Sequence, residues 1–540
     1  MSFAATASSL LMALSLQATG SDEIAVQELG DIHPFEVDSG GTFPQSVWSS
    51  GDPDSLRAVL AALPPASRGW SSDAASRLAA DVLLSGGPPP DLGSNRFTLS
   101  RVRINRALAS GRPQPVLRLL ERTPRINESA DLSQYYAELA FALGQADDAC
   151  LAADALLEGR EEAYWLRARA ACLAFAGNIA AAELTAELAR AQTPDREFDQ
   201  LIDAFTLGRE LPEGFAPQTG LQLALAEALA PDQRLVPSER APQWLVRAAA
   251  RTGPPISLPQ TLPEALEAAV MMTGEERKVA LGALIQQDLD REIAAEALAI
   301  RLNDAAQAGE FVEVASAYGM EVPRLPVTGN TLAHGRIFVL AALAADDVVA
   351  AERWRQALED GPPRVVPQPV ENPALPVDAE GPSSLATPPG FAQSAEEADW
   401  TPPSQAVLQA LDFAALVAEG QIDTDVFSAL LSERLDSVTP ARVCQAGALV
   451  ALGADDGGAL QAALTGVDSA GSNTSHHLVA GLLAASSGAL GESALHAALV
   501  LEAAPDSAQA CAGMAVILDR AGLDYVALRI VLELILEDAA

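Results

Sequence analysis

Apolar residues recur three and four places apart over most of the chain, which is the spacing of a helix with one buried face. Residues 55–63, SLRAVLAAL, give the first clear case, and Pro64-Pro65 predicts where it stops. The same pattern predicts helices over 262–272, 291–302 and 332–345. Runs such as Ala180-Ala181-Ala182-Glu183-Leu184 suit helices whose backbones approach closely, while stretches rich in Val, Ile, Tyr and Thr are scarce. The chain therefore reads as all-α.

Breaks in the pattern divide it. Residues 1–20 form a signal-like segment and 21–53 an extended lead-in. Helices are expected over 54–211, with a break at Pro88-Pro89-Pro90, then over 219–360 and again over 405–540. Between the last two lies a proline-dense stretch, 361–404, which reads as a linker or long surface loop with polyproline II character.

Glycines set a second rhythm on the helical one. Gly111, Gly144 and Gly177 are 33 residues apart, and Gly453, Gly488 and Gly522 follow at spacings of 35 and 34. A period of this size marks stacked helix pairs, each covering its neighbour's apolar face. In Gly177-Asn178-Ile179-Ala180-Ala181-Ala182 a small residue follows the glycine by five places and Pro194 by 17. Gly144 leads to Ala149, Gly488 to Pro505, and Gly522 to Ala527; Gly481 matches a small residue within a first helix. Glycine ends one helix in a conformation that other residues resist, alanine lets the second helix approach, and proline suits the start of the next unit.

These residues resemble the tetratricopeptide repeat. The likeness covers about 100 residues around 97–194 and about 90 near the C-terminus. The family's large aromatic of the first helix is mostly missing: Ser133 and Leu166 hold its place, with Trp165 beside the latter. The resemblance implies a right-handed superhelix of stacked antiparallel helix pairs, an α-solenoid whose concave face binds a partner peptide or helix. In that register the outward positions of the first helices include Gln134, Glu138 and Phe141 in one unit, and Tyr164 and Arg167 in the next. Tyr and Arg are common interface hot spots, so Tyr164 and Arg167 are the expected main contacts.

Charge narrows the partner. The chain carries 34 Lys+Arg against 72 Asp+Glu, a net charge of -38, and Lys278 is its single lysine. Such an acidic chain repels phosphate backbones, which argues against nucleic acid. Residues 1–18 carry no charged side chain and include an apolar core at Leu10–Leu16, as a secretory segment without its basic leader would. Export to a periplasm is the expectation, with a cytoplasmic scaffold as the alternative. No membrane span is expected in the mature chain, since no later segment has the uninterrupted apolar length.

Four cysteines occur, without a C-x-x-C. The repeat register puts Cys150 and Cys172 at similar height on neighbouring helices, which allows a disulfide. It puts Cys444 and Cys511 two units apart, as core thiols. His476, His477 and His496 fall on adjacent helices, but consecutive residues on a helix point in different directions, so no metal site is expected. Asp147-Asp148 and Asp346-Asp347 stand at helix starts, where capping accounts for them. No phosphate loop, H-E-x-x-H or G-x-S-x-G occurs, and no cofactor is implied. The expectation is a non-enzymatic interaction scaffold of a bacterial-type cell envelope. The alternative is a helical accessory subunit or degenerate relative of the peptidoglycan-cleaving enzymes that also use superhelical α-domains.

Overall fold

A computed structural model describes residues 33–90, 96–254, 256–362, 400–435, 439–454, 475–505 and 507–540. The signal-like segment and most of the proline-dense stretch lie outside these residues. Among the described residues every regular element is a helix, and no strand occurs.

The expected helices form close to their expected bounds. Pro53–Ala62 begins where the Asp52 side chain accepts from the Asp54 and Ser55 N–H groups, and it ends at an extended Leu63 ahead of the two prolines. Leu262–Met271, Arg291–Ala308 and Gly335–Ala344 match the other predicted segments. Lys278 lies within helix Gly274–Gln286 and pairs with Glu275 at 2.9 Å.

The glycine lattice is a lattice of turns. Gly111, Gly144, Gly177, Gly453, Gly488 and Gly522 all have φ between 73° and 101°. At Gly144 the chain reverses, and the Gln145 N–H donates to the Ala140 carbonyl at 2.8 Å, satisfying an orphan carbonyl of the preceding helix. Asp346, at φ 62°, does the same work without glycine: Asp347 N–H reaches Ala342 O at 2.9 Å, and the Asp347 carboxylate caps the next helix at Ala350. Consecutive helices flanking these turns pack on each other, as in Ala163–Phe175 with Ile179–Gln192, and Ser475–Ser486 with Leu490–Ala503.

Two features depart from expectation. Residues 33–52 are not an extended lead-in: they form two single-turn 3-10 helices, Pro34–Glu36 and Gln45–Trp48, and bury Phe35 and Trp48. The cause is Arg103, buried on helix Arg96–Leu108. Its guanidinium donates to the carbonyls of Leu83, Pro34, Phe35, Val37 and Ser85 at 2.6–3.4 Å, and lies over the Phe35 and Trp48 rings. Burial lowers its pKa to about 9.

The second departure is contact between helices far apart in sequence, Asp73–Leu84 with the C-terminal helices. Helix Asp73–Leu84 packs against Leu490–Ala503, which is buried at every position from Gly491 to Leu501. The Glu502 carboxylate accepts from the Ser71 and Ser72 N–H groups at 3.0–3.1 Å. Glu537 accepts from Val312 N–H at 3.0 Å, which ties the last helix, Asp524–Ala539, to the middle region.

Candidate interaction surfaces

The expected partner face lies on helices Ala130–Ala142 and Ala163–Phe175. A helix of the same chain, Gly220–Leu229, already covers it. That helix touches Ala130–Ala142, Ala163–Phe175 and Arg196–Thr206 together. Its first N–H, on Gly220, donates to Glu138 Oε2 at 2.6 Å. The approach is close: a β-carbon on Gly220 would lie 1.9 Å from the Glu138 carbonyl oxygen.

This contact changes how the expected residues read. Phe141 is fully buried, near the Phe175 ring at a centroid distance of 6.5 Å, and is not an outward position. Burial raises the Glu138 carboxyl, against the Gly220 N–H that favours its charged form. Burial also pushes the neighbouring Tyr164 hydroxyl well above its ordinary range, and Glu138 adds to that. Arg167 is half-buried and donates to Thr193 O at 2.5 Å, with Asp195 at 3.8 Å, so it fastens the helix Ala163–Phe175 to the start of Arg196–Thr206. Gln134 remains half-buried on the first helix. Trp165 is fully buried, and the Ser133 hydroxyl donates to Ile126 O at 2.9 Å.

Arg251 pins the segment that follows. It donates to Ala142 O at 2.8 Å and pairs bidentately with Glu227 at 2.6–2.7 Å.

A cavity of about 610 Å³ opens between helices Asp73–Leu84 and Asp524–Ala539, lined by Arg77, Asp81, Arg529 and Glu533 beside the C-terminal ends of helices Gly335–Ala344 and Gln405–Ala418. Arg77 pairs with Glu533 at 2.8 Å, and Arg529 stands between Glu533 at 3.6 Å and Asp81 at 4.0 Å. Burial raises the Asp81 carboxyl. These charges face one another and hold helix Asp73–Leu84 to Asp524–Ala539.

Cys150 and Cys172 form the disulfide the register allowed, with Cα atoms 5.6 Å apart. Cys444 and Cys511 also form one, at 5.3 Å, against the expectation of separated thiols. The reason is packing: helix Pro440–Ala451 lies directly on Ala508–Arg520 rather than two units away.

The three histidines of helices Ser475–Ser486 and Leu490–Ala503 lie side by side. The His476 and His477 ring centroids are 3.9 Å apart, and His477 Nδ1 lies 3.2 Å from His496 Nδ1. Among the described residues no group of three or more His, Cys, Asp or Glu could hold a metal ion. No helix among them is long and apolar enough to cross a membrane.

No family model matches this chain, and neither the curated proteins nor the solved structures contain a significant match to it.

Proposed function

We propose that this chain is a non-enzymatic protein-interaction scaffold, built as a superhelix of antiparallel, tetratricopeptide-like helix pairs, that binds a peptide or helix of a partner protein. One observation carries the reading. Helix Gly220–Leu229 lies across the first helices of three successive units and is gripped at its N-terminus by Glu138. The surface that the repeat resemblance assigns to a ligand thus has the shape and chemistry to hold a helix, here one supplied in cis. Glu138, Tyr164 and Arg167 work as holders of that internal helix and of the array, and partners in trans dock on surfaces the chain leaves open.

The compartment we infer is the oxidising side of a cell envelope. All four cysteines are paired, which suits an exported protein and not a reducing cytosol.

The test is in-cell cross-linking of the tagged protein in its native host, with co-purified proteins quantified against an unrelated acidic exported protein. Enrichment of a defined partner is expected, with the chain recovered from the exported fraction. Turnover of peptidoglycan by the purified protein, or no enrichment over the control, overturns the reading.

A further inference from the structure

The first array stops halfway through a unit. Gly111, Gly144 and Gly177 are each followed two residues later by a helix: Pro113–Glu121, Ala146–Ala155 and Ile179–Gln192. Gly208, 31 residues on and also left-handed at φ 61°, closes helix Arg196–Thr206 in the same way, with Arg209 N–H donating to Ala204 O at 2.8 Å. No second helix follows. Pro212, Gly214 at φ 71° and Pro217 keep residues 209–218 non-helical, and the next helix, Gly220–Leu229, goes to the opposite face.

The seat of that missing helix is empty. A groove of about 420 Å³ lies between Ile179–Gln192 and Arg196–Thr206. Its apolar side is Leu184 and Leu207, which are 66% and 55% exposed, with Ile202 beneath; Leu188, one turn along from Leu184, is 53% exposed. Isolated exposed leucines are ordinary, but Leu184 and Leu207 line one groove, with Leu188 exposed next to it. Its rim is acidic. Glu183 and Glu187 stand exposed on one helix and Asp203 on the other. The lone cation there, Arg190, is shared among Glu187 at 2.5 Å, Asp199 at 3.1 Å and Asp203 at 3.2 Å.

We propose that this groove takes an amphipathic helix of a partner protein that completes the half-finished unit. Its chemistry follows from the helices that fill the equivalent seats. Those turn alanines inward for close approach, Ala149 and Ala153 in one and Ala182, Ala186 and Ala189 in the other. The incoming helix presents a stripe of small residues to Arg196–Thr206, apolar side chains to Leu184 and Leu207, and Lys or Arg flanks to Glu183, Glu187 and Asp203. Charge disfavours a second copy of this chain, whose surface carries a net -38. The inference rests on the scaffold reading, because the hairpin lattice defines the empty seat.

The probes are two synthetic helical peptides with the same alanine and leucine stripe, one flanked by Lys and one by Glu. Their binding to the full chain is followed by fluorescence anisotropy at low and high salt. The exposed-site variants Leu184→Asp and Leu207→Asp are measured beside wild type, with circular dichroism confirming that they fold. The Lys-flanked peptide is expected to bind wild type, roughly tenfold or more weaker to either variant, and more weakly as salt rises. The Glu-flanked peptide is expected not to bind. Equal binding of both peptides, indifference to the variants, or a wild-type dimer that Leu184→Asp dissolves overturns the proposal. Repeating the host cross-linking with the variants separates the two readings. A partner retained by both variants leaves the scaffold reading standing and removes the groove, whereas a host experiment that recovers no partner removes the scaffold reading and leaves the peptide assay to decide the groove.

Discussion

The Arg77 guanidinium donates to the Glu533 carboxylate at 2.8 Å across 456 positions of sequence. Both side chains are largely withdrawn from solvent, at 14% and 11% exposure. The pair joins helix Asp73–Leu84 to Asp524–Ala539, beside Leu490–Ala503 packed on Asp73–Leu84. An open row of repeats has no such contact between its ends. Here Asp73–Leu84 and the C-terminal helices hold each other, and each lost contact is felt by both.

Glu533→Ala is expected to destabilise the chain by about 3 kcal/mol, because it leaves a buried guanidinium without its main partner. Arg77→Met with Glu533→Leu removes both charges and is expected to return most of that loss. Chemical denaturation of the two variants against wild type reads the difference. A double variant as unstable as Glu533→Ala means that packing, not the unpaired charge, sets the effect.

Gly220→Ala tests the internal helix. The added carbon would meet the Glu138 carbonyl oxygen at 1.9 Å, and a backbone atom held inside helix Ala130–Ala142 has nowhere to move. A loss of about 3 kcal/mol is expected, at the upper end of overpacking costs. Amide exchange over 220–229 should rise with it. Gly177→Ala is the control. Nothing lies within 4 Å of its added carbon, so only the left-handed backbone at φ 75° resists, and about 1 kcal/mol is expected. Equal effects at the two sites would show that Gly220 is constrained by conformation and not by contact.

The sequence carried the local structure well and the long-range structure poorly. Turn glycines were legible because Gly144 or Gly177 must adopt a backbone that other residues avoid, and that requirement repeats with the unit. The helix stop ahead of Pro64 was legible for a similar local reason. What covers Glu138 was not, since no local pattern announces that a helix 82 residues further on returns to it. Arg103 was equally silent. A lone arginine in a helical run reads as surface, yet its five carbonyl partners come from two distant segments. The Cys444–Cys511 bond was missed because regular stacking was extended through a region where helix Pro440–Ala451 instead packs on Ala508–Arg520.

The two disulfides differ in the chain they close. Cys150 and Cys172 are 22 residues apart, Cys444 and Cys511 67. If the constraint on the unfolded chain dominates, Cys444→Ser/Cys511→Ser should cost more than Cys150→Ser/Cys172→Ser, about 4 against about 3 kcal/mol. Alkylation of the unfolded but unreduced protein, read by intact mass, should label none of the four cysteines. Labelling of either pair under those conditions would remove that bond and, with it, the main support for an oxidising compartment.

Acid sensitivity is expected to centre on His496. Its imidazole is buried against His477, with the Nδ1 atoms 3.2 Å apart, so one ring donates and the other accepts. Protonating the acceptor would put two donors face to face. Burial first, and then the neighbouring His477 and His476, lower the His496 pKa from 6.5 to about 4. A group whose pKa is depressed on folding contributes stability that is whole above its unfolded value and is lost as pH falls through the folded one. The loss should therefore develop between about pH 6.5 and 4, reaching on the order of 3 kcal/mol. Buried carboxyls work in the other direction: Glu138, Glu492 and Glu537 are all raised by burial, so acidification relieves their cost. The raw stability of wild type mixes the two signs, and the histidine is isolated by comparison with His496→Asn. Relative to that variant, wild type should lose melting temperature steadily between pH 6.5 and 4 and show no trend between pH 7 and 8. A difference that stays flat from pH 8 to 4 would mean that the pair accepts a proton without opening.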